Sequence, residues 1–199
     1  MAEPFTTFTA IAAPLEMSNV DTDQIIPARF MRRPRDERYS TYAFHDLRFT
    51  PDGAKRDDFV LNRPPFDQAG ILVAQRNFGV GSSREAAVYA LLALGIRAVV
   101  AESFGDIFFS NALKNGLLPI RLAESDCTAL RNLVARQPGT QLTVDLPQNL
   151  LVAAGSAAYH FAIPDFARDC LLRGLDEIGL TFTLLPEIEA FEAARGTAA

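Results

Sequence analysis

Ile71-Leu-Val-Ala-Gln-Arg76 and Arg97-Ala-Val-Val-Ala101 are short apolar runs on either side of a helical pattern at residues 85–94. A second helical pattern covers residues 105–114, and Leu117-Leu-Pro-Ile-Arg121 follows it as a third apolar run. Strands that alternate with helices at this spacing form βαβ units, whose parallel sheet is buried on both faces. The stretch therefore predicts an α/β fold around a parallel sheet.

The flanking regions add further elements and one long loop. Strands are predicted at 5–14, 141–146, 150–154 and 158–162, the last two separated by Gly155-Ser156, and helices at 41–47, 125–137, 165–172 and 184–195. Residues 31–68 are rich in charge, proline and aromatic side chains, and loops of this length are usually functional or disordered. We expect a single three-layer α/β domain over residues 1–199, with an excursion at about 31–68.

Composition excludes several classes of protein. The net charge of −5 argues against a general nucleic-acid surface. No run approaches the roughly 18 apolar residues of a membrane span, and no secretory signal is recognisable, so we expect a cytoplasmic protein without membrane contact. Of the 19 basic residues 17 are arginine, which suits an anionic substrate, although a GC-rich genome that encodes arginine in place of lysine is the favoured explanation.

The two cysteines, Cys127 and Cys170, lie in separate helical patterns. Two widely separated thiols form neither a disulfide framework nor a zinc site. An iron–sulfur cluster normally needs three or four cysteine ligands. We therefore predict that this chain holds no metal and no cluster by itself.

The segment Asn77-Phe-Gly-Val-Gly-Ser-Ser-Arg-Glu85 follows a predicted strand and opens a predicted helix. Its glycines permit tight turns and the close approach of a ligand. Ser82, Ser83 and Arg84 are expected in the first helical turn, where free backbone N–H groups favour anions. A serine and an arginine placed there could take a proton from a carbon next to a carboxylate.

The same residues also have a structural interpretation. Ser82-Ser-Arg-Glu85 matches a capping box, with Ser82 as N-cap and Glu85 at the third helical position. The segment lacks the third glycine of a dinucleotide fingerprint and the Lys-Ser or Lys-Thr of a phosphate-binding loop. The residues alone indicate an anion site and leave open whether it is catalytic.

Four segments together resemble the small subunits of the bacterial 3-isopropylmalate dehydratase family. They are Asn19-Val-Asp-Thr-Asp-Gln-Ile-Ile-Pro-Ala-Arg-Phe30, the segment 77–85, Phe104-Gly-Asp-Ile-Phe-Phe-Ser-Asn-Ala-Leu-Lys-Asn-Gly-Leu-Leu-Pro-Ile120 and Gly174-Leu-Asp-Glu-Ile-Gly-Leu180. These proteins are the detached swivel domain of the aconitase superfamily. The resemblance therefore implies a three-layer β/β/α swivel domain over nearly the whole chain.

The resemblance also implies an activity, the isomerisation of 2- and 3-isopropylmalate by dehydration and rehydration in leucine biosynthesis. A large subunit would carry a [4Fe-4S] cluster, with one iron acting as Lewis acid on the substrate hydroxyl and carboxylate. In this chain Ser82 matches the catalytic base, and Ser83 and Arg84 match residues that bind the substrate carboxylate. The implied partners are the large subunit and a small hydroxy-dicarboxylic acid, and the isolated chain is expected to be inactive.

The chain departs from the family pattern in two places. The family continues Arg-Glu-His-Ala, whereas Ala86 follows Glu85 here. Phe30-Met-Arg-Arg-Pro-Arg-Asp-Glu-Arg-Tyr39 lies where the family keeps its substrate-selecting loop and is rich in arginine. Arg32, and with it Arg29, is a candidate for binding a further substrate carboxylate. Alternatively, the arginines of this loop form a solvated face or contact an acidic partner. These arginines are Arg32, Arg33, Arg35 and Arg38, and the same alternative applies to Arg29.

Four other polar residues are expected to be structural. Asp21 and Asp23 could bind a metal, but a turn or helix-cap role is favoured for such a pair. His45 and His160 are well separated and lack partners at metal-ligand spacing.

Three other functions stay open. A paralogous hydro-lyase for citraconate or 2-methylmalate is one, and a non-catalytic regulatory module of the same fold, motivated by the missing histidine, is another. A dinucleotide-dependent oxidoreductase is disfavoured by the incomplete fingerprint.

Overall fold

Seven strands form one sheet in the part of the chain that the computed structural model describes, which is residues 4–153, 158–175 and 177–196. The strands are β1 (Thr7–Pro14), β2 (Ile71–Val73), β3 (Ala98–Ala101), β4 (Leu118–Arg121), β5 (Gln141–Asp145), β6 (Leu150–Ala153) and β7 (Ala158–His160). Their order is β4-β3-β2-β1-β5-β6-β7. Neighbours from β4 to β1 are parallel, and neighbours from β1 to β7 through β5 and β6 are antiparallel.

Strand β1 joins the parallel and antiparallel halves of the sheet. Its residues 7–11 pair with β5, and its residues 12–14 pair with β2. The last three residues of β1 are buried, as are all residues of β2 and β3. Burial on both faces is typical of a parallel sheet covered by helices, which explains the continuous apolar runs in the sequence.

Eight α-helices accompany the sheet in the described ranges. They are α1 (Thr22–Ile25), α2 (His45–Arg48), α3 (Glu85–Ala93), α4 (Asp106–Lys114), α5 (Glu124–Arg136), α6 (Asp165–Arg173), α7 (Glu177–Thr183) and α8 (Leu185–Arg195). Helix α5 packs on β1 and β2, α4 packs on β4, and α3 contacts α4. No helix of the described chain is long and apolar enough to cross a membrane.

The α/β class and the βαβ units predicted from the sequence are confirmed, with element ends within a few residues of those expected. Helix α7 was not predicted. Strand β2 is shorter than expected and ends at Val73, and the Gln75 side chain beyond it accepts a hydrogen bond from the Ser18 hydroxyl, 2.5 Å away. The Gly155-Ser156 turn, and Asp176 of the segment 174–180, lie outside the described residues.

The excursion at residues 31–68 is folded around its own aromatic and polar contacts. It contains α2 and three 3₁₀ helices, Glu37–Tyr42, Val60–Asn62 and Phe66–Gln68. The helix expected at 41–47 is divided because Phe44 adopts a left-handed conformation, with φ of 51°, and donates its N–H to the Ile25 carbonyl. Buried Arg48 donates to the Ser40 and Ala43 carbonyl oxygens at 2.8 and 3.2 Å.

A buried arginine ties α5 to the ends of the central strands. Arg131 is 7% exposed and donates from Nη1 to the Ala74 carbonyl oxygen at 2.9 Å. Its guanidinium also lies 3.5 Å from carboxylate oxygens of Glu16 and Glu102. Because these three partners lie within two residues of the ends of β1, β2 and β3, Arg131 holds together the sheet edge at which those strands end.

Candidate functional site

Three loops meet at the carboxyl ends of β1, β2 and β3. Gly79 donates its N–H to the Val20 carbonyl at 2.7 Å, and Thr22 donates to Val80 at 2.9 Å. Gly105 donates to the carbonyl of Phe78 at 2.9 Å. In open α/β sheets, ligands bind outside the carboxyl ends of the strands. The segment 77–85 therefore lies where a ligand is expected.

Two asparagines fix the base of this site. The Asn77 side chain donates to Asn19 Oδ1 at 2.8 Å, and its backbone N–H donates to the Ser103 hydroxyl at 2.9 Å. Asn19 and Asn77 have φ of 54° and 58°, a left-handed conformation that asparagine tolerates better than most residues. The loops after all three strands are thereby linked through side chains as well as backbone.

Gly79 is required by close packing and by conformation. Its φ is +74°, and a Cβ placed there would lie 2.2 Å from Cγ of Phe108, a ring that is 2% exposed. Replacing Gly79 with alanine should therefore lower the free energy of unfolding by about 3–5 kcal/mol, from overpacking and left-handed strain together. Denaturant unfolding of the isolated chain measures this loss.

Gly53 provides the matched control for that substitution. It has a similar φ of +87°, but a Cβ there would meet nothing within 4 Å. Gly53→Ala should cost about 1–2 kcal/mol, because the left-handed conformation alone opposes it. Equal losses at the two glycines would show that contact with the Phe108 ring is unimportant.

Helix α3 begins where the helical pattern predicted, and not at Ser82 as the capping-box interpretation required. Its first residue is Glu85 and its N-cap is Arg84, which makes no capping hydrogen bond through its side chain. The expected capping box with Ser82 as N-cap is therefore wrong, and Ser82 to Arg84 precede the helix rather than form its first turn. The Glu85 carboxylate instead accepts a hydrogen bond from Asn115 Nδ2 at 2.7 Å.

The Ser82 hydroxyl is paired with a buried threonine hydroxyl. Ser82 Oγ lies 3.0 Å from Thr22 Oγ1, and the Ser82 backbone N–H donates to the same oxygen at 3.3 Å. Thr22 is 1% exposed, whereas Ser82 is exposed. Because an ionised serine can only accept a hydrogen bond, Thr22 is placed to donate to Ser82 once its proton has left.

Helix α1 holds Thr22 in place through a capping box. The Asp21 carboxylate accepts the Gln24 N–H at 2.7 Å, and Gln24 Oε1 accepts the Asp21 N–H at 3.0 Å. The helix-cap role expected for Asp21 is confirmed. This cap fixes the first residue of α1, so it fixes the threonine that faces Ser82.

Arg84 forms an ion pair with Asp23, the other aspartate of this segment. The hydrogen bond from Arg84 holds the pKa of the Asp23 carboxyl below its ordinary value. The Arg84 side chain is 16% exposed, whereas that of Asp23 is 56% exposed. The pair leaves the guanidinium oriented beside Ser82 and within reach of a ligand.

Ser82, Ser83 and Arg84 together line one cavity of about 520 Å³. Its opposite wall comes from the excursion and includes Arg33 and Arg35. The 3₁₀ helix Glu37–Tyr42 packs on α3 and so brings these arginines over the serines. Neither arginine forms an ion pair with a described residue, so their charge is available to an anionic ligand.

Arg35 is held against an aromatic ring. Its Cζ lies 3.2 Å from the ring centroid of Tyr89, one turn of α3 beyond Ala86, and both of these residues line the cavity. Burial raises the pKa of neighbouring Tyr39, which lines the same cavity in its neutral form. A cavity with three guanidinium groups and several hydroxyls suits a small polycarboxylate.

The other two predicted binding residues lie apart from this cavity. Arg29 donates to Asp46 Oδ2 at 2.9 Å and lines a different cavity, of about 630 Å³, together with His45. Arg32 is exposed and lines neither of the two cavities. Ligand binding by Arg29 or Arg32 stays a prediction, and the structure brings only Ser82, Ser83 and Arg84 of the predicted set together.

Residues that the sequence interpretation missed are Thr22, Arg33, Arg35 and Tyr89. A sequence signal existed for Thr22, because Asp21 and Gln24 have capping-box spacing. Arg33 and Arg35 stood beside Arg32 in the same arginine-rich segment, but nothing in the sequence distinguishes which of them faces α3.

The described residues contain no group of three or more histidine, cysteine or acidic side chains that could hold a metal ion. Cys127 is fully buried in α5, and its thiol donates to the Leu122 carbonyl oxygen, 3.8 Å away. Cys170 lies half-buried in α6. These residues do not fit an iron–sulfur cluster.

The two thiols should differ sharply in reactivity. Burial raises the pKa of Cys127 from 9.0 to about 11, and thiolate is the reactive species. At pH 8 its thiolate fraction is then about a hundredfold below that of an unburied thiol. Titration of the native chain with an aromatic disulfide should therefore show one accessible thiol, which disappears in Cys170→Ser. Fast reaction of Cys127 would contradict its burial.

Comparisons with known proteins agree over nearly the whole chain. A model of the aconitase C-terminal domain family matches residues 2–125. The 3-isopropylmalate dehydratase small subunit of Gluconacetobacter diazotrophicus is 48% identical over 97% of this chain and 93% of its own length. That of Brevibacillus brevis is 44% identical over 96% of this chain and 99% of its own length.

The fold comparison points to the same group of proteins. The structure of 3-isopropylmalate dehydratase from Methanocaldococcus jannaschii matches with a TM-score of 0.63 and 26% identity, over 96% of this chain and 99% of that one. The predicted resemblance and the aconitase-type swivel fold are thereby confirmed. The chain belongs to the 3-isopropylmalate dehydratase small-subunit family, within the aconitase C-terminal domain family.

Proposed function

We propose that this chain is the small subunit of a heteromeric hydro-lyase that interconverts 2- and 3-isopropylmalate by dehydration and rehydration in leucine biosynthesis. The observation that carries the proposal is identity of 44–48% with small subunits of that name over 96–98% of the chain. The hydroxyl pair and guanidinium groups at the 520 Å³ cavity are consistent with it.

In this mechanism Ser82 is the general base. In its alkoxide form, the Oγ takes the proton from the substrate carbon next to a carboxylate during dehydration and becomes the neutral hydroxyl, which returns that proton to carbon during rehydration. Thr22 stabilises the ionised serine by donating a hydrogen bond over 3.0 Å. The positive charge of Arg84, Arg33 and Arg35 at the same cavity lowers the free energy of the negative species.

Arg84 and Ser83 bind the carboxylate that flanks the reacting carbon. A guanidinium can bind a carboxylate through two parallel hydrogen bonds, which fixes the orientation of the substrate as well as its charge. Negative charge that develops on this carboxylate as the proton leaves strengthens those bonds. The interaction therefore favours the carbanion-like species over the bound substrate.

The chemistry of the substrate hydroxyl is assigned to the partner. We propose a large subunit bearing a [4Fe-4S] cluster, because the cysteines of this chain do not fit one. We further propose that the chain is a single swivel domain with a substrate loop at about 31–68, and that it acts in the cytoplasm. Arg32 and Arg29 stay secondary candidates for carboxylate binding.

A hydro-lyase for citraconate or 2-methylmalate is the second candidate. The observation that favours it is the position of Ala86, which lines the cavity where the family usually has histidine. A different side chain at the cavity wall can change which substrate substituent the cavity accommodates.

The test is hydration of 2-isopropylmaleate and of citraconate by this chain, reconstituted anaerobically with its cognate large subunit. We expect a kcat/KM for 2-isopropylmaleate at least tenfold above that for citraconate. The reverse order would support the second candidate. Failure of both acids with a stable, cluster-loaded complex would favour a regulatory module.

A further inference from the structure

The last two helices expose large apolar side chains. Ile178 and Phe182 in α7 are 68% and 65% exposed, and Leu185 and Phe191 in α8 are 42% and 60% exposed. No residue of α8 is buried. Exposed apolar side chains that cluster in this way mark interaction sites, whereas isolated ones need no explanation.

The spacing of these residues places them in a row on each helix. Ile178 and Phe182 are four residues apart and lie on one side of α7, and Leu185, Ile188 and Phe191 recur every three residues, so they form one apolar face of α8 that is about 120° wide. Isolated helices shorter than about 12–15 residues are marginal in water. Helix α8 has 11 residues and none of them is fully buried, so packing within the described chain stabilises it little and an additional apolar surface would stabilise it.

The apolar row is continuous with the candidate active site. Ile178 lines a cleft of about 370 Å³ together with Ile107 and Ser83, and Ile107 is itself 51% exposed. Ser83 also lines the 520 Å³ cavity that contains Ser82. Whatever protein covers that cavity during the reaction is therefore brought against the beginning of α7.

The charged side chains beside the apolar row restrict which protein can bind to it. Glu187, Glu189 and Glu192 are interleaved with the apolar residues of α8, and Lys114 lines the cleft at the other end of the surface. Two copies of this chain facing each other through α8 would bring these carboxylates together. A different protein with basic side chains around an apolar groove is complementary to them.

We propose that α7 and α8 dock the large subunit, by inserting the row of Ile178, Phe182, Leu185 and Phe191 into an apolar groove rimmed by lysine or arginine. The inference rests on the proposed function, because the occupant is taken to be the subunit that covers Ser82. A second copy of this chain is the competing occupant.

The test compares two double variants of the full chain, Phe182→Ser with Phe191→Ser, and Phe182→Leu with Phe191→Leu. Their Kd values for the cluster-bearing large subunit are measured by isothermal titration calorimetry under anaerobic conditions. We expect the serine pair to weaken binding about 100-fold and the leucine pair by less than about threefold. The thermal midpoint of the isolated chain should not change by more than a few degrees, because neither phenyl ring is buried.

The outcomes separate this inference from the function on which it rests. Unchanged affinity of the serine pair overturns the docking site, even if the complex turns over 2-isopropylmaleate normally. A dimer of the isolated chain would also overturn the docking site, if the double serine variant no longer forms that dimer but binds the large subunit with unchanged affinity. Weakened binding in a complex that never acts on 2-isopropylmaleate supports the docking site and contradicts the proposed function alone.

Discussion

Replacing Ser82 with alanine should lower kcat of the assembled complex by roughly 10²–10⁴-fold, the usual contribution of a general base. The substitution removes the oxygen that takes the proton and leaves Thr22 Oγ1 without the partner that lies 3.0 Å away. Substrate affinity should change little, because the carboxylate contacts of Arg84 are intact. Steady-state kinetics at saturating large subunit measure kcat and KM separately.

Ser83→Ala is the matched control for that variant. Both serines are exposed and line the same cavity, so the two substitutions remove the same atom at neighbouring positions. We expect Ser83→Ala to raise KM more than it lowers kcat. Should Ser82→Ala retain more than a tenth of the normal kcat, another group must take the proton.

Replacing Arg84 with glutamine should lower kcat/KM by roughly 10²-fold, because a partly buried charge that binds the substrate carboxylate is lost. The substitution also removes the ion pair with Asp23, whose pKa should return toward its ordinary value. Arg84→Lys keeps the charge but not the planar pair of donors. It should recover only part of the activity.

The pH dependence of the Arg84–Asp23 pair provides a second measurement. Arg84 holds the pKa of Asp23 in the folded chain below its value in the unfolded chain. The pair therefore stabilises the fold at pH values above the unfolded-state pKa, and this stabilisation is lost as the pH falls through the folded-state pKa. The effect is small, since the Asp23 side chain is 56% exposed.

Full activity of Arg84→Gln would contradict carboxylate binding by this residue.

The parallel half of the sheet could be predicted because its strands are buried on both faces. Ala98–Ala101, for example, is buried at every position and is apolar throughout. The helices between the strands end at glycine or asparagine, as α3 does before Gly95 and α4 at Asn115. Local sequence determines these features, so no long-range information was needed.

The geometry of the site could not be predicted in the same way. A Ser-x-x-Glu pattern before an apolar run fits an N-cap, but Ser82 faces Thr22, 60 residues earlier in the chain. That contact exists because the loops after β1 and β2 are neighbours, which follows from the strand order and not from local propensity. The helix therefore starts at Glu85, three residues after the serine.

The choice among the arginines depends on packing in the same way. Arg32 and Arg33 are adjacent in sequence, yet Arg33 lines the cavity and Arg32 does not. The orientation is set by the 3₁₀ helix Glu37–Tyr42, whose buried residue Tyr39 anchors the excursion beside α3. Arg35 is fixed by its contact with Tyr89, a residue more than fifty positions later.

We propose that this chain supplies the base to a reaction whose cluster belongs to another subunit. The most direct test adds increasing amounts of this chain to a fixed amount of anaerobic, cluster-loaded large subunit and follows hydration of 2-isopropylmaleate. We expect no turnover by either protein alone, a rate that rises to a plateau at saturation, and no comparable rise with Ser82→Ala. Turnover by the large subunit alone, or a full plateau with Ser82→Ala, would contradict the claim.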